Sequence, residues 1–147
     1  MDFEKFLTNQ ENDFKGRNLD LIWQYSDAEI DGNHDFIQLI FPTNKPSRNS
    51  FHGYYLDNEL LIEQLRNNVV VKENLMKSAE WFLGFLSRNK SWVSGYDHNQ
   101  LRITRAIESL RLLVSDEAAN EFFQSILGLV KDPATINPAT IKFWEEA

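Results

Sequence analysis

Apolar residues at helical spacing run through most of the chain and leave little room for strands. From about residue 57 to residue 130 they recur every three or four positions, which is the period of an amphipathic α-helix. The residues of this pattern are Leu60, Leu61, Leu65, Leu75, Met76, Ala79, Phe82, Leu83, Leu86, Ile103, Ala106, Ile107, Leu110, Ala118, Phe122, Phe123, Ile126, Leu127 and Val130. The pattern predicts an all-α protein.

Capping residues and a proline divide this pattern into separate helices. Ser26 and Glu29 match a capping box, in which a hydroxyl and a carboxylate bond the free N–H groups of a helix start. Asp97 and Gln100 match the same box further along the chain. Pro42 should end the helix before it, because proline lacks the N–H that a helix interior needs.

Three consecutive valines, residues 69–71, are the one place where a strand can be argued. β-branched residues favour strands. An isolated three-residue strand has no partner, however, so we expect a break between two helices there. Loops are expected at residues 43–56 and at about 87–97. Together these features predict a single-domain orthogonal helical bundle of about six to eight helices over residues 1–147.

The composition is typical of a globular domain. With 147 residues, of which 42% are apolar and 13% aromatic, the chain can bury one core without metal or disulfide staples. It has no cysteine, which excludes disulfides, thiol nucleophiles and cysteine-based zinc sites. The N-terminus does not resemble a secretory signal, and no apolar run approaches the roughly 18 residues of a membrane span. We therefore expect a soluble, cytoplasmic protein.

The net charge of −7 argues against nucleic-acid binding by bulk electrostatics, which needs a cationic surface. The charge is uneven. Lys and Arg outnumber Asp and Glu by ten to seven in residues 42–111, whereas acids are in excess on either side. A mildly basic middle between acidic ends can steer an anionic ligand inward. The other interpretation is that these charges only cover exposed helix faces.

The first of two polar signatures covers residues 34–42, HDFIQLIFP. In a helix, His34, Gln38 and Phe41 would share one face at spacings of four and three. His34 has the chemistry of a general base or a hydrogen-bond donor, and Gln38 can both donate and accept. The alternative is structural, because a histidine near a helix start is often a cap or a buried polar group that connects two segments.

The sequence gives little support for a metal site or for a catalytic nucleophile. His34 and Asp35 resemble the His-Asp pair of metal-dependent phosphohydrolases, but such sites need further His and Asp ligands. With three histidines, that set cannot be assembled in the right order. The chain also has no phosphate-binding glycine loop and no nucleophile elbow. We predict no metal and no cofactor, and we expect His52 to be a surface residue.

The second signature covers residues 97–105, DHNQLRITR. His98, Arg102 and Arg105 follow spacings of four and three, so one helix face presents an imidazole and two guanidiniums. Arginines so spaced can fork around a carboxylate or phosphate, and the N–H groups of a helix start favour an anion too. Because the two arginines repel each other, they need acidic partners, either from a ligand or from the chain. The candidate carboxylates of the chain are Asp27, Glu29, Asp31 and Asp35.

Both signatures resemble the conserved region of the opioid growth factor receptor and its microbial relatives. The resemblance extends to residues 13–17, DFKGR, to Glu29, to Ser47 and to residues 106–110, in the order and spacing of that family. It covers the chain from about residue 3 to residue 130. The family pattern maps onto Asp13, Gly16, Arg17, His34, Gln38, Phe41, Pro42, His98, Asn99, Arg102 and Arg105.

Two departures from the family are visible in this chain. Leu39 stands where tryptophan is usual, and a Gly-Leu pair that is common in the family is missing near Val114. The animal receptor is linked to binding of the pentapeptide Met-enkephalin and to growth control at the nucleus. The resemblance implies the fold of the conserved region and leaves the function open, because one fold can carry many functions.

Three functions are therefore considered. The leading prediction is a non-catalytic binding module whose polar cleft takes an anionic small molecule or a peptide carboxylate. Its predicted ligand-binding residues are His34, Gln38, His98, Asn99, Arg102 and Arg105. The first alternative is a hydrolase-like enzyme with His34 or His98 as acid–base group and Arg102 stabilising negative charge. The second is a scaffold whose signature residues only hold the bundle together. The leading prediction requires that the two signatures, distant in sequence, face one hollow.

Overall fold

The computed structural model describes residues 1–46 and 54–147, and within them it is helical, with no strand. The α-helices are α1 Phe3–Leu7, α2 Leu19–Trp23, α3 Asp27–Gly32, α4 Ile37–Ile40, α5 Glu59–Arg66, α6 Val69–Arg88, α7 His98–Leu113, α8 Asp116–Val130 and α9 Pro138–Glu146. Two short 3-10 helices span Lys90–Trp92 and Pro133–Thr135. The all-α prediction is confirmed. The helices outnumber the expected six to eight, because the first part of the chain divides into four helices of 4 to 6 residues.

Helix starts follow the capping residues that the sequence contains. In the described part of the chain, every α-helix except α4 begins at an Asp, Asn or Ser whose side chain accepts a backbone N–H. The Ser26–Glu29 capping box is complete, with N–H donations of 3.0 and 3.2 Å in the two directions. Its prediction is therefore confirmed.

The second predicted box, at the start of α7, is only half formed. Asp97 accepts the N–H of Asn99 at 2.8 Å, as a cap should. Gln100 does not return the contact, because its amide donates to the carbonyl oxygens of Trp92 and Ser94 at 2.9 and 3.0 Å. Gln100 thus connects α7 to the turn before it instead of completing the cap.

The break between α5 and α6 is confirmed, but it precedes the valines. Asn68 caps α6 by accepting the N–H groups of the second and third residues of that helix. The three valines form the first turn of α6, where Val71 is buried and Val69 exposed. The cap thus begins a helix in spite of the β-branched run, because the orphan N–H groups find a partner.

The core forms around α7, which packs against α5, α6, α8 and α9. Aromatic rings fill much of the interior. Trp92 and Trp144 meet edge to face at 6.5 Å, and Phe82 lies against Phe41 and Phe85. Each such ring removes a large apolar area from water. Because α7 has neighbours on most sides, only a limited part of it is left to line a cleft.

The connection from α4 to α5 is a loop where it is described, as predicted. The N–H of Leu56 donates to the carbonyl oxygen of Thr43 at 2.8 Å, so the two arms of the loop meet at their base. Ser47 and His52, named from the sequence, lie outside the described residues. A search of the helices in residues 1–46 and 54–147 finds none with the length and apolar character to cross a bilayer.

Candidate functional site

The two signatures meet at one cleft beside α4 and α7, with a volume of about 350 Å³. This size lies in the range of small-molecule sites. The lining residues are His34, Ile37, Gln38, Thr43, Lys45, Pro46, His98, Leu101, Arg102, Thr104, Arg105 and Glu108. Five of the six predicted ligand-binding residues are among them, and Asn99 is not. The geometric condition of the binding prediction is met, while ligand binding itself stays a prediction.

The first signature is not one helix, so the expected shared face is wrong. Helix α4 spans only Ile37–Ile40, and His34 lies in the turn that precedes it. His34 is exposed, whereas Gln38 is only 7% exposed. The apolar residues of this segment are all buried. A helix of one turn that the core surrounds can bury apolar residues on every side, so no single polar face forms. As predicted, the helix ends before Pro42.

An ion-pair network positions the first signature. The Arg17 guanidinium donates to Asp13 and to Asp35, both at 2.7 Å, and all three residues are buried. Lys15 also pairs with Asp35. Gly16 has a φ of 78°, a left-handed conformation that favours glycine in the turn between Asp13 and Arg17. The 13–17 segment thus holds Asp35 of the first signature in place.

The network shifts the pKa values of its members. Burial alone lowers the pKa of Arg17, but hydrogen bonds to Asp35, Tyr25 and Asp13 outweigh this and raise it above its usual value. Burial alone raises the pKa of Asp35, and the bonds from Lys15 and Arg17 bring it below the usual value. Asp35 is therefore ionised and fully engaged in the network.

Arg102 is held by the end of α3. Its guanidinium donates to the backbone carbonyl oxygen of Ile30 at 2.7 Å, to that of Asn33, and to Asn99 Oδ1 at 3.3 Å. It also lies 5.6 Å from the centroid of the Phe36 ring. Burial lowers its pKa, which the nearby Asp31 and Asp97 carboxylates partly offset. Arg102 thus connects α7 to the carbonyl end of α3, where a cation is favoured.

Asn99 belongs to the same contact. It accepts from Arg102 and donates to Asp31 Oδ1 at 3.1 Å, and it is 3% exposed. We call this contact, made by Asn99 and Arg102 with residues 30–33, the α3–α7 junction. Asn99 does not line the cleft, so its predicted role as a ligand-binding residue is not supported by its position.

The internal pairing considered for the two arginines is wrong. Asp27 bonds Arg88, Asp35 bonds Arg17, and Glu29 completes its capping box. Asp31 lies against Asn99 and His98. Among the described residues, no carboxylate oxygen comes within 4.0 Å of either Arg102 or Arg105. The acidic residues in the first third of the chain bond nearby groups or pair with other cations.

Arg105 keeps most of its donors unused. Its Nε donates to the carbonyl oxygen of Phe41 at 3.1 Å. Neither terminal nitrogen has a hydrogen-bond partner in the part of the chain that the structure describes, and Nη2 is buried. Burial lowers the pKa of Arg105, and the Glu108 carboxylate partly offsets this. The amide of the buried Gln38 likewise makes no hydrogen bond to a described residue.

The two histidines lie side by side at the mouth of the cleft. Their ring centroids are 5.4 Å apart at an angle of 71°. His34 Nδ1 lies 3.4 Å from the guanidinium of Arg102. His98 Nε2 is 3.1 Å from Asp31 Oδ1 without forming a well-directed hydrogen bond. No group of three or more possible metal ligands occurs among residues 1–46 and 54–147.

Sequence reasoning missed several lining residues, above all Lys45 and Glu108, which pair at 3.4 Å. Glu108 lies three residues after Arg105 on α7, so extending the helical face beyond the second signature finds it. Lys45 lies in a loop, where no periodicity indicates which way a side chain points. A wider groove of about 540 Å³ continues beyond this pair, but its Arg66 and Arg111 already donate to backbone carbonyls.

Comparisons with models of protein families, with curated proteins and with solved structures each find no match to this chain. The resemblance to the conserved region of the opioid growth factor receptor therefore depends on the residues quoted above and stays a prediction. The function has to be argued from the cleft itself.

Proposed function

We propose that this chain is a non-catalytic binding module, with the fold of the opioid growth factor receptor conserved region, whose cleft takes a small molecule or peptide through an anionic group. The observation that carries the proposal is the buried Nη2 of Arg105, which lies in the cleft without a hydrogen-bond partner among the described residues. Gln38, whose amide also makes no hydrogen bond to a described residue, lines the same cleft. Buried polar groups are nearly always hydrogen-bonded, and an unsatisfied one costs about 1–3 kcal/mol. A bound anion supplies the missing acceptors.

The charges around the cleft favour an anion as the ligand. The acids of the first third, which were the alternative partners of Arg105, are engaged elsewhere. Glu108, the one carboxylate among the described residues that line the cleft, pairs with Lys45. A guanidinium offers parallel donors that match a carboxylate or a phosphate and stays charged when buried. Arg105 is therefore the expected anchor, with Gln38 as a second donor.

The proposal divides the six predicted residues into two groups. Asn99 and Arg102 have their partners within the α3–α7 junction, so they position the cleft. His34, Gln38, His98 and Arg105 face the cleft and are available to a ligand. The scaffold alternative thus accounts for Asn99 and Arg102 and leaves Arg105 and Gln38 unexplained.

The enzyme alternative has one observation in its favour, which is that His34 and His98 lie together in the cleft. An acid–base role predicts a pH-dependent rate that disappears in His34→Ala or His98→Ala. A broad substrate screen without turnover would count heavily against it.

The binding module is tested by a thermal-shift screen of metabolites, nucleotides and short peptides, because a ligand that prefers the native state must stabilise it. Hits are repeated on Arg105→Gln and on the control Arg88→Gln, which removes an exposed arginine that does not line the cleft. Loss of a hydrogen bond to a charged group should weaken binding by about tenfold or more in Arg105→Gln alone. Circular dichroism confirms that both variants fold. Equal stabilisation of Arg105→Gln by every hit would contradict the proposal.

A further inference from the structure

A cation and an anion lie one helical turn apart on the side of α7 that lines the cleft. Arg105 and Glu108 are three residues apart, a spacing that puts their side chains on neighbouring positions of one face. They come no closer than 4.0 Å between nitrogen and oxygen, although the Glu108 carboxylate acts to raise the pKa of Arg105. The two opposite charges thus remain separate, and both face the same hollow.

Glu108 has a partner that is easily replaced. Lys45 reaches it at 3.4 Å from a loop, and the Lys45 side chain is 73% exposed while that of Glu108 is 26% exposed. An ion pair of an exposed lysine contributes little to stability, because water competes and a long side chain must be ordered. A second ammonium group can therefore take the place of Lys45 on Glu108 with little loss.

The same cleft also has an apolar side. Leu101 and Pro46 line it and are exposed, Leu101 by 57%, while Ile37, which also lines it, is buried with 4% exposed. This surface would contact an aliphatic group of a ligand held between Arg105 and Glu108. A compact dianion such as phosphate fits less well, because Glu108 repels it and it leaves the apolar side uncovered.

We propose, on the basis of the binding function above, that the ligand is a zwitterion, namely an α-amino acid with an aliphatic side chain. Its carboxylate lies on Arg105 and Gln38. Its ammonium group lies on Glu108 in place of Lys45. Its side chain covers Leu101 and Pro46. In an α-amino acid the ammonium and carboxylate groups are attached to the same carbon. This closeness suits two opposite charges at adjacent positions of one helix face.

The test is isothermal titration calorimetry of the full chain with four probes: L-leucine, N-acetyl-L-leucine, L-leucinamide and inorganic phosphate. L-Leucine should bind, and each derivative that lacks one charge should bind about tenfold more weakly or worse, since each loses a charged hydrogen bond. Phosphate should bind more weakly than L-leucine. Tighter binding of phosphate, or equal binding of N-acetyl-L-leucine and L-leucine, would overturn the zwitterion and leave an anion site standing.

Two variants separate this inference from the proposed function. Glu108→Gln should reduce the affinity for L-leucine to that for N-acetyl-L-leucine and leave the latter unchanged, whereas the control Glu80→Gln on α6 should change neither. Arg105→Gln should weaken the binding of both by about tenfold or more, because it removes the group that holds the carboxylate. If no probe binds the wild-type chain, the amino-acid ligand is refuted, and the wider anion screen alone decides the proposed function. Unchanged L-leucine affinity in Glu108→Gln would also refute it.

Discussion

Arg102 and Arg105 lie one turn apart on the same helix and belong to the same signature, yet their surroundings differ. At the α3–α7 junction, Arg102 donates to two backbone carbonyls and to Asn99. At the cleft, Arg105 donates only through Nε to Phe41 and keeps its terminal nitrogens without a partner among the described residues. The difference lies in the acceptors: the carbonyl end of α3 faces one arginine and a hollow faces the other.

Two more arginines extend the comparison. Arg17 is buried and paired with two carboxylates, and Arg88 is exposed and paired with Asp27. The four residues thus represent a buried ion pair, a buried contact with carbonyls, a half-buried cation with few partners and an exposed ion pair. Since each of the four contacts involves an arginine, the comparison between them is a comparison of their surroundings.

The largest loss of stability is expected from Arg17→Met. Removing this guanidinium leaves Asp13 and Asp35 buried without their main partner, and breaking a buried pair from one side costs about 3–5 kcal/mol. Urea unfolding followed by circular dichroism measures the free energy of unfolding. The control is Lys142→Met, which removes an exposed cation of α9. A loss below about 1 kcal/mol for Arg17→Met would mean that the network does not hold the first signature.

Arg102→Gln comes next, with an expected loss of about 2–4 kcal/mol in the free energy of unfolding. The carbonyl oxygens of Ile30 and Asn33 would lose a charged donor, and the contact with Phe36 would be lost as well. The same urea experiment measures it. If Arg102→Gln is as stable as the wild-type chain, Arg102 is not a structural residue of the α3–α7 junction and does not differ from Arg105 in this respect.

Arg105→Gln is expected to change the free energy of unfolding by less than about 1 kcal/mol in either direction. It loses the bond to Phe41, but it also removes a half-buried cation that lacks a counter-ion. Comparison with Arg102→Gln under identical conditions is the sharpest check. If Arg105→Gln proves the more destabilising of the two, Arg105 is a structural residue and the binding proposal loses its anchor.

The smallest effect concerns the exposed Asp27–Arg88 pair, whose contribution to stability changes with pH only in acid. Hydrogen bonds from Arg88 and Asn89 lower the pKa of Asp27 to about 2. Because the folded pKa lies below the unfolded value of about 3.9, the stabilisation is present above that value and is lost as pH falls towards 2. Asp27→Asn should therefore reduce the pH dependence of stability below pH 4 slightly, as measured by urea unfolding at pH 5 and pH 3. If the free energy of unfolding changes equally between pH 5 and pH 3 in Asp27→Asn and in the wild-type chain, the Asp27–Arg88 pair is open in solution.

Much of the helix pattern could be predicted because it depends on local features. The capping box at Ser26 and Glu29 and the end of α4 before Pro42 involve residues that are close in sequence, so one segment contains both partners. The failures involve longer contacts. Gln100 leaves its predicted box for the carbonyl oxygen of Trp92, and His34 lies outside the helix because Arg17 and Lys15 hold the neighbouring Asp35.

Most of the predicted site residues do line the cleft, but the sequence did not indicate which of them bond within the protein and which face the hollow. Spacing correctly brings His98, Arg102 and Arg105 to the same side of α7. It does not tell which guanidinium meets the carbonyls of α3, because that depends on where a separate helix ends. It also does not indicate Lys45, since a loop has no periodicity.

The amino-acid sequence by itself determines that this chain forms capped helices and that two polar signatures lie on or beside them, because periodicity and capping act over a few residues. Only the tertiary structure decides which polar groups find partners. Hydrogen bonds between distant segments form where the packing of the apolar core brings donor and acceptor together. The carbonyl end of α3 thereby takes Arg102, and Arg105 is left facing a cleft.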